Sequence, residues 1–166
     1  YLVAHPGSWK GLTPELGMTN VASGLAEATE GLGPLGVTLL LECTAGQGFT
    51  LGARLEELRD LRMMASRGMA LPIQFCLDTC HLLAAGYDVA SAEGLERTLD
   101  QVESCLDMEN VPVIHANDSK GGLGSRLDRH THIGKGQIGK DGFARILQHP
   151  ALQDKIFILE TPVEQD

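Results

Sequence analysis

Short apolar runs rich in valine, isoleucine, leucine and phenylalanine recur along the chain. The five runs cover residues 2–4, 37–41, 72–77, 111–114 and 156–159. They are continuous rather than alternating, which is typical of parallel strands that are covered on both faces. The segments between the runs show helical spacing instead. The pattern therefore predicts alternating strands and helices.

Three of the intervening segments predict helices with recognisable limits. Over residues 52–67, Leu55, Leu58, Leu61 and Met64 form one apolar stripe, and charged residues fill the other side. Ser91 is a suitable N-cap for a helix that runs through residue 106. Residues 139–148 predict a further short helix.

A metal-competent side chain directly follows every apolar run. These residues are His5, Glu42, Asp78, His115 and Glu160, at separations of 37, 36, 37 and 45 residues. Strand–helix units repeated at this spacing build a (β/α)8 barrel, whose chemistry lies at the carboxyl ends of the strands. An open doubly wound sheet is disfavoured, because no glycine-rich phosphate motif follows the first run. We therefore expect the five side chains to converge at one mouth.

Two further pairs add candidate ligands. Asp78 and His81 lie three residues apart where the third strand is expected to turn into a loop, and Asp128 and His130 lie in an insertion over 119–138. The inventory is four carboxylates and four histidines, which suits Zn²⁺ or Mn²⁺ better than Mg²⁺. Eight ligands exceed the needs of one tetrahedral ion, so more than one metal ion is expected. The four cysteines lack the paired spacing of a structural zinc site and are expected to be reduced and mostly buried.

Composition places the chain among soluble globular proteins. It has 166 residues, of which 43% are hydrophobic and 21% charged, and a formal net charge of -9. The apolar stretches are far shorter than the roughly 20 residues that a membrane helix needs. A cytoplasmic monomer with no membrane association is expected.

Several motifs resemble those of the endonuclease IV family, in the same order along the chain. The resemblance lies in residues 5–8, 41–48, 76–81, 84–88, 115–119, 124–130, 133–139 and 159–162. It implies a TIM-barrel enzyme with three zinc ions that cleaves duplex DNA 5′ to abasic sites and removes 3′ blocking groups. The fold class is therefore α/β, a TIM (β/α)8 barrel of which this chain carries about the last five βα units.

The resemblance also implies a role for each candidate ligand. His5 and Glu42 would hold a first zinc, and Glu42 would bridge to a second zinc bound by Asp78, His115 and Glu160. His81, Asp128 and His130 would hold the third. Glu42 and Glu160 would serve mainly as ligands, and a role in orienting the attacking hydroxide is left open. Mn²⁺ is the alternative metal.

The chain departs from the family pattern in three ways, one of which is Ala116, where the family commonly has a larger aliphatic residue. The remaining ligand of the first zinc is a histidine from an earlier strand, so residues 1–166 are expected to form a single, incomplete domain that lacks N-terminal strands and the final helix. Trp9 also stands where a polar or small residue is usual.

A basic segment explains how an acidic chain would bind double-stranded DNA. Residues 119–140 carry a local charge of +4 despite the overall -9, and phosphate contacts from such a segment position a duplex without reading its sequence. The candidate DNA contacts are Lys120, Arg126, Arg129 and Lys135. Alternative functions are a divalent-metal sugar isomerase or epimerase of the same barrel superfamily, or a non-catalytic fragment.

Overall fold

Parallel strands form the main sheet of the protein. The computed structural model describes residues 1–32 and 35–162. The sheet has five strands in the order β1-β2-β3-β4-β7, and each neighbouring pair is parallel. These strands are β1 (Leu2–Ala4), β2 (Leu39–Glu42), β3 (Ile73–Asp78), β4 (Val113–His115) and β7 (Ile156–Ile158). They form half of a (β/α)8 barrel, which confirms the predicted fold class.

Helices cover the outer face of the sheet. They are α1 (Pro14–Thr29), α2 (Leu55–Ala65), α3 (Thr79–Ala85), α4 (Ala92–Leu106) and α5 (Gly139–Gln148). The predicted cap is confirmed, since the Ser91 hydroxyl accepts a hydrogen bond from the Gly94 N–H over 3.0 Å. None of the described helices combines the length and apolar character that crossing a lipid bilayer requires.

The predicted loop after β3 is wrong, because α3 begins directly at the end of that strand. The Asp78 carboxylate accepts a hydrogen bond from the His81 N–H over 2.8 Å and so caps the first turn. The helix ends at Gly86, whose φ of 109° lies in the left-handed region. An aspartate at the strand end therefore starts a helix at once.

The insertion contains a short antiparallel pair of strands. Strand β5 (Asp118–Ser119) pairs with β6 (His130–Thr131), and Asp118 lies opposite Thr131. The pairing places His130 opposite Ser119, close to the carboxyl end of β4.

Side-chain alternation gives the sheet two distinct faces. Phe75, Leu77 and their neighbours pack into a large core against the helices. On the inner face, Leu40, Cys76 and Val113 form a separate small cluster with Val3 against them. Successive side chains of a strand point to opposite faces, so residues two positions beyond this cluster also point inward. Those residues are His5, Glu42, Asp78 and His115.

The outermost strands of the sheet are more exposed than the central ones. Leu2 in β1 and Ile156 and Ile158 in β7 have large exposed fractions, whereas β2 is buried throughout. The prediction that the strands are covered on both faces therefore holds for the central strands. Strands β1 and β7 each have one hydrogen-bonded neighbour in the described sheet.

Candidate metal centre

The residues that follow the strands converge as their spacing predicts. We call His5, Glu42, Asp78, His115 and Glu160 the strand-end cluster. His115 Nδ1 lies 2.8 Å from Glu42 Oε1 and 3.1 Å from Glu160 Oε2, and His5 Nε2 lies 3.3 Å from Glu42 Oε2. Glu42, Asp78, His115 and Glu160 each offer one atom within 4.8 Å of the others. Four donors this close can share one cation.

A second set of donors lies beside the strand-end cluster. We call His81, Asp128 and His130 the outer group. His81 Nε2 lies 3.2 Å from Asp128 Oδ1, and His130 Nε2 lies 3.5 Å from the same oxygen. The three residues come from α3, the insertion and β6. The pairing of β5 with β6 brings His130 to this position.

Backbone carbonyl groups fix the orientation of both histidines in the outer group. His81 Nδ1 lies 2.9 Å from the Cys43 carbonyl oxygen, and His130 Nδ1 lies 3.3 Å from the Glu160 carbonyl oxygen. A carbonyl oxygen only accepts hydrogen bonds, so each Nδ1 carries the proton and each Nε2 presents a lone pair. This is the tautomer that a metal-binding histidine adopts.

Two histidine nitrogens of the outer group show whether these residues fit a metal ion. His81 Nε2 and His130 Nε2 are buried and make no hydrogen bond with described residues, although both approach Asp128. Buried polar atoms are otherwise almost always satisfied. Two lone pairs that point towards one carboxylate are explained by a shared cation, so the residues fit a divalent metal ion.

Electrostatics in the strand-end cluster also favour positive charge. Burial raises the pKa of the Glu42 carboxyl, but hydrogen bonds from His115 and His5 outweigh burial and lower its pKa to about 2. Conversely, the hydrogen bond with Glu42 raises the pKa of His5. Burial alone would lower the pKa of His115, yet the bond and charge of Glu42 raise it. Burial raises the pKa of Asp78. The carboxylates thus hold protons on their histidine neighbours, at positions that a cation would occupy equally well.

Asn117 positions two carboxylates of the strand-end cluster. Its Nδ2 donates hydrogen bonds to Asp78 Oδ2 over 2.5 Å and to Glu160 Oε2 over 3.4 Å. Its Oδ1 accepts a hydrogen bond from the Glu160 N–H over 2.8 Å. Asn117 therefore holds both carboxylates in place.

Asp118 organises the glycine-rich segment after β6, a role that sequence reasoning missed. Its fully buried carboxylate accepts hydrogen bonds from five backbone N–H groups. The donors are Ser119, Gly134, Gly136, Ile138 and Gly139, at 2.8–3.2 Å. A Cβ at Gly136 would clash with the Ser119 carbonyl oxygen, which explains the glycine there. The signal that could have suggested this contact is the glycine content of the two strings before and after β6, which are Ser119-Lys120-Gly121 and residues 133–139.

The nearby thiols are poor candidates for ligands. Cys76 lies within 4.8 Å of ligand atoms of Glu42 and His115, and Cys80 lies as close to those of Asp78 and His130. Burial raises the pKa of both thiols, for Cys80 to about 11. Since the thiolate is the form that binds metal, the donor set consists of nitrogen and oxygen. All four cysteines are free and three are buried, as the sequence predicts.

The four candidate DNA contacts lie on the surface of the insertion that contains Asp128 and His130. All four residues are exposed: Lys120, Arg126, Arg129 and Lys135. The Lys120 N–H donates to the Arg129 carbonyl oxygen, and the Arg126 N–H donates to the Ala84 carbonyl oxygen at the end of α3. A cavity of about 520 Å³ lies at the opposite, amino-terminal end of β2 and β3, where it adjoins neither group of donors.

Fold and site together define a TIM-barrel protein with a candidate multinuclear metal centre at the carboxyl ends of its strands. Residues 1–166 match the xylose isomerase-like TIM barrel family, and the chain belongs to that family. The predicted resemblance to endonuclease IV is also confirmed by the relatives that the chain matches.

The curated relatives that the chain matches include several called probable endonuclease 4. The protein from Solibacter usitatus is 54% identical over 165 residues, which are 99% of this chain and 57% of the relative. The protein from Methanoculleus marisnigri is 42% identical over 165 residues, with 99% and 58% covered. The crystal structure of endonuclease IV from Thermus thermophilus is 45% identical, with a TM-score of 0.79 over 99% of this chain and 55% of that chain. The chain thus spans a little over half the length of these proteins.

Proposed function

We propose that this chain carries the metal centre of a DNA-repair phosphodiesterase of the endonuclease IV type. Such an enzyme hydrolyses the phosphodiester 5′ to abasic sites in double-stranded DNA and removes 3′ blocking groups. The outer group carries the proposal, because a sugar isomerase of the same superfamily has no need of a third metal site. The names of the most similar relatives support the same conclusion.

The ligand assignment follows the groupings of donor atoms. Glu42, Asp78, His115 and Glu160 would hold one ion, and the outer group would hold another. His5 and Glu42, with the His81 ring near them, would contribute to a third. Nitrogen and oxygen donors in these numbers suit Zn²⁺, with Mn²⁺ as the alternative.

Clustered divalent metals supply a nucleophile from water at neutral pH and neutralise charge on the phosphoryl and leaving oxygens. The protein's own contribution is to hold the donors in place before DNA binds. Asn117 fixes two carboxylates, and the carbonyl groups of Cys43 and Glu160 fix the two imidazole rings. Such preorganisation avoids rearranging the site during the reaction.

The basic side chains would bind the phosphates on either side of the damaged position. The exposed residues Lys120, Arg126, Arg129 and Lys135 lie in the insertion that also contains Asp128 and His130. Contacts of this kind fix the register of a duplex without sequence preference, as an enzyme that acts on damage at any sequence requires.

A cleavage assay tests the proposal. Duplex DNA with one abasic analogue is incubated with the zinc-loaded 166-residue chain and with a form that spans the full length of its relatives, with and without chelator. We expect cleavage 5′ to the analogue, loss of cleavage with chelator, and recovery with Zn²⁺. Glu42→Gln should abolish cleavage, whereas Glu93→Gln, on the exposed surface of α4, should not. Uncut DNA for both forms under all conditions would overturn the proposal, and turnover of a ketose would favour an isomerase.

A further inference from the structure

Phe49 is an exposed aromatic residue in the loop that follows Glu42. It is 45% exposed and lies in the loop between β2 and α2. Two residues earlier in this loop, Gln47 Oε1 accepts a hydrogen bond from the Asp128 N–H over 3.1 Å. The exposed ring therefore lies in a loop that directly contacts the outer group.

Trp9 supports the Phe49 ring from the neighbouring loop. The two rings pack edge to face, with centroids 4.8 Å apart and an interplanar angle of 84°. The backbone N–H of Trp9 and the Ser8 hydroxyl both donate hydrogen bonds to the Phe49 carbonyl oxygen, over 3.0 and 3.1 Å. The pair is therefore held by backbone as well as ring contacts.

Helix α1 holds Trp9 in turn. A Cβ at Gly17 of this helix would lie 2.5 Å from the Trp9 Cβ, so only glycine allows the helix to approach so closely. An aromatic side chain that is already fixed loses little conformational entropy when it binds a ligand.

Two arginines line a cavity next to the aromatic pair. The cavity measures about 230 Å³, and its walls include Trp9, Arg54 and Arg126. Arg126 has a φ of 53°, which is rare for a residue with a side chain, and its N–H is held by the Ala84 carbonyl oxygen over 2.9 Å. Glu57 also lines the cavity, but its carboxylate already accepts a hydrogen bond from the Gly52 N–H over 3.0 Å.

We infer that Phe49, supported by Trp9, contacts a nucleobase of the bound duplex next to the abasic position, while Arg54 and Arg126 bind the flanking phosphates. The inference rests on the proposed function and extends it to the way damaged DNA is recognised. Proteins that bend DNA insert apolar side chains between bases, and insertion is easiest where a base is missing. Aromatic contact with bases combined with phosphate contacts also explains binding that does not depend on sequence.

The sole tryptophan of the chain makes this inference directly measurable. The zinc-loaded chain is titrated with a duplex that carries an abasic analogue resistant to cleavage, while Trp9 emission and the anisotropy of labelled DNA are recorded. We expect saturation to change Trp9 emission. Phe49→Ala should weaken binding by about tenfold, and Phe49→Tyr should restore it. Leu147→Ala, at a residue 55% exposed on α5, is the matched control and should bind as wild type does. Thermal melts of all variants verify that they fold.

The two readouts separate failure of this inference from failure of the proposed function. If anisotropy reports binding but Trp9 emission does not change and Phe49→Ala binds as wild type does, the inference is overturned and the proposed function stands. If anisotropy reports no binding by the wild type or by any variant, the inference and the DNA binding proposed for this chain are both overturned.

Discussion

Replacing Asp118 by asparagine should strongly destabilise the protein. One carboxylate oxygen accepts hydrogen bonds from Ser119 and Ile138, and the other accepts from Gly134, Gly136 and Gly139. An asparagine keeps only one oxygen and places an NH2 group at the other position. At best three of the five N–H groups therefore retain an acceptor, and two face another donor.

The magnitude follows from the strength of hydrogen bonds to a charged group. Each contributes about 1.5–3 kcal/mol, so the loss of two predicts a fall of about 3–6 kcal/mol in the free energy of unfolding. The three bonds that remain also lose the charge of their acceptor. Because the side chain is fully buried, water cannot easily replace it as an acceptor.

Urea denaturation followed by far-UV circular dichroism measures this change. Asp154→Asn, at an exposed position, is the control and should stay within about 0.5 kcal/mol of wild type. A fall of less than about 1 kcal/mol for Asp118→Asn, similar to that of the control, would show that the five hydrogen bonds do not stabilise the fold as described. The segment that Asp118 holds contains Lys135, so the variant should also bind DNA more weakly.

Three further predictions concern the metal centre. His81→Asn should remove about one zinc equivalent per chain from the outer group, measured by metal analysis, because asparagine offers no imidazole nitrogen. Asn117→Ala should lower zinc affinity by about 10- to 100-fold in a chelator competition assay, because it releases carboxylates that bind the ion. In the metal-free chain, the hydrogen bond with Glu42 raises the pKa of His5. Burial lowers the pKa of His115, but the hydrogen bond and charge of Glu42 outweigh burial and raise it. This stabilisation is fully present below about pH 6.5 and is lost as pH rises through the raised values, so the free energy of unfolding should fall over that range, and less so for Glu42→Gln.

The His81→Asn variant has a matched histidine control. His149, which lies against Glu96 at the end of α5, serves as the control, and His149→Asn should keep the wild-type zinc content. Wild-type zinc affinity in Asn117→Ala would show that its hydrogen bonds do not position ligands. For the pH series, equal slopes in the wild type and the Glu42 variant would contradict the proposed charge pairing.

The strand-end cluster could be predicted from the sequence because two features determine it: the alternation of side chains along each strand, and the regular spacing of the strands along the chain. A residue two positions beyond an inward-facing neighbour also faces inward, and parallel strands bring their carboxyl ends to one edge. His5, Glu42, Asp78 and His115 satisfy both conditions. The outer group depended instead on motif resemblance, since no periodicity links His81 with the insertion.

Other features could not be predicted because they depend on tertiary contacts that are not apparent in the sequence pattern. Helix α3 was missed because Asp78 ends a strand and caps a helix with the same side chain. The five-fold hydrogen bonding of Asp118 was missed because its donors lie up to 21 residues away in sequence. The bounds of helix α1 were not predicted, although Thr13 followed by Pro14 is a helix start signal.

Metal content shows whether the strand-end cluster and the outer group bind zinc. The purified 166-residue chain is loaded with Zn²⁺, freed of loosely bound metal by gel filtration, and analysed by inductively coupled plasma mass spectrometry against protein concentration. At least two zinc ions per chain are expected, one in the strand-end cluster and one in the outer group. A folded chain that retains fewer than two equivalents would show that one of these groups does not bind zinc.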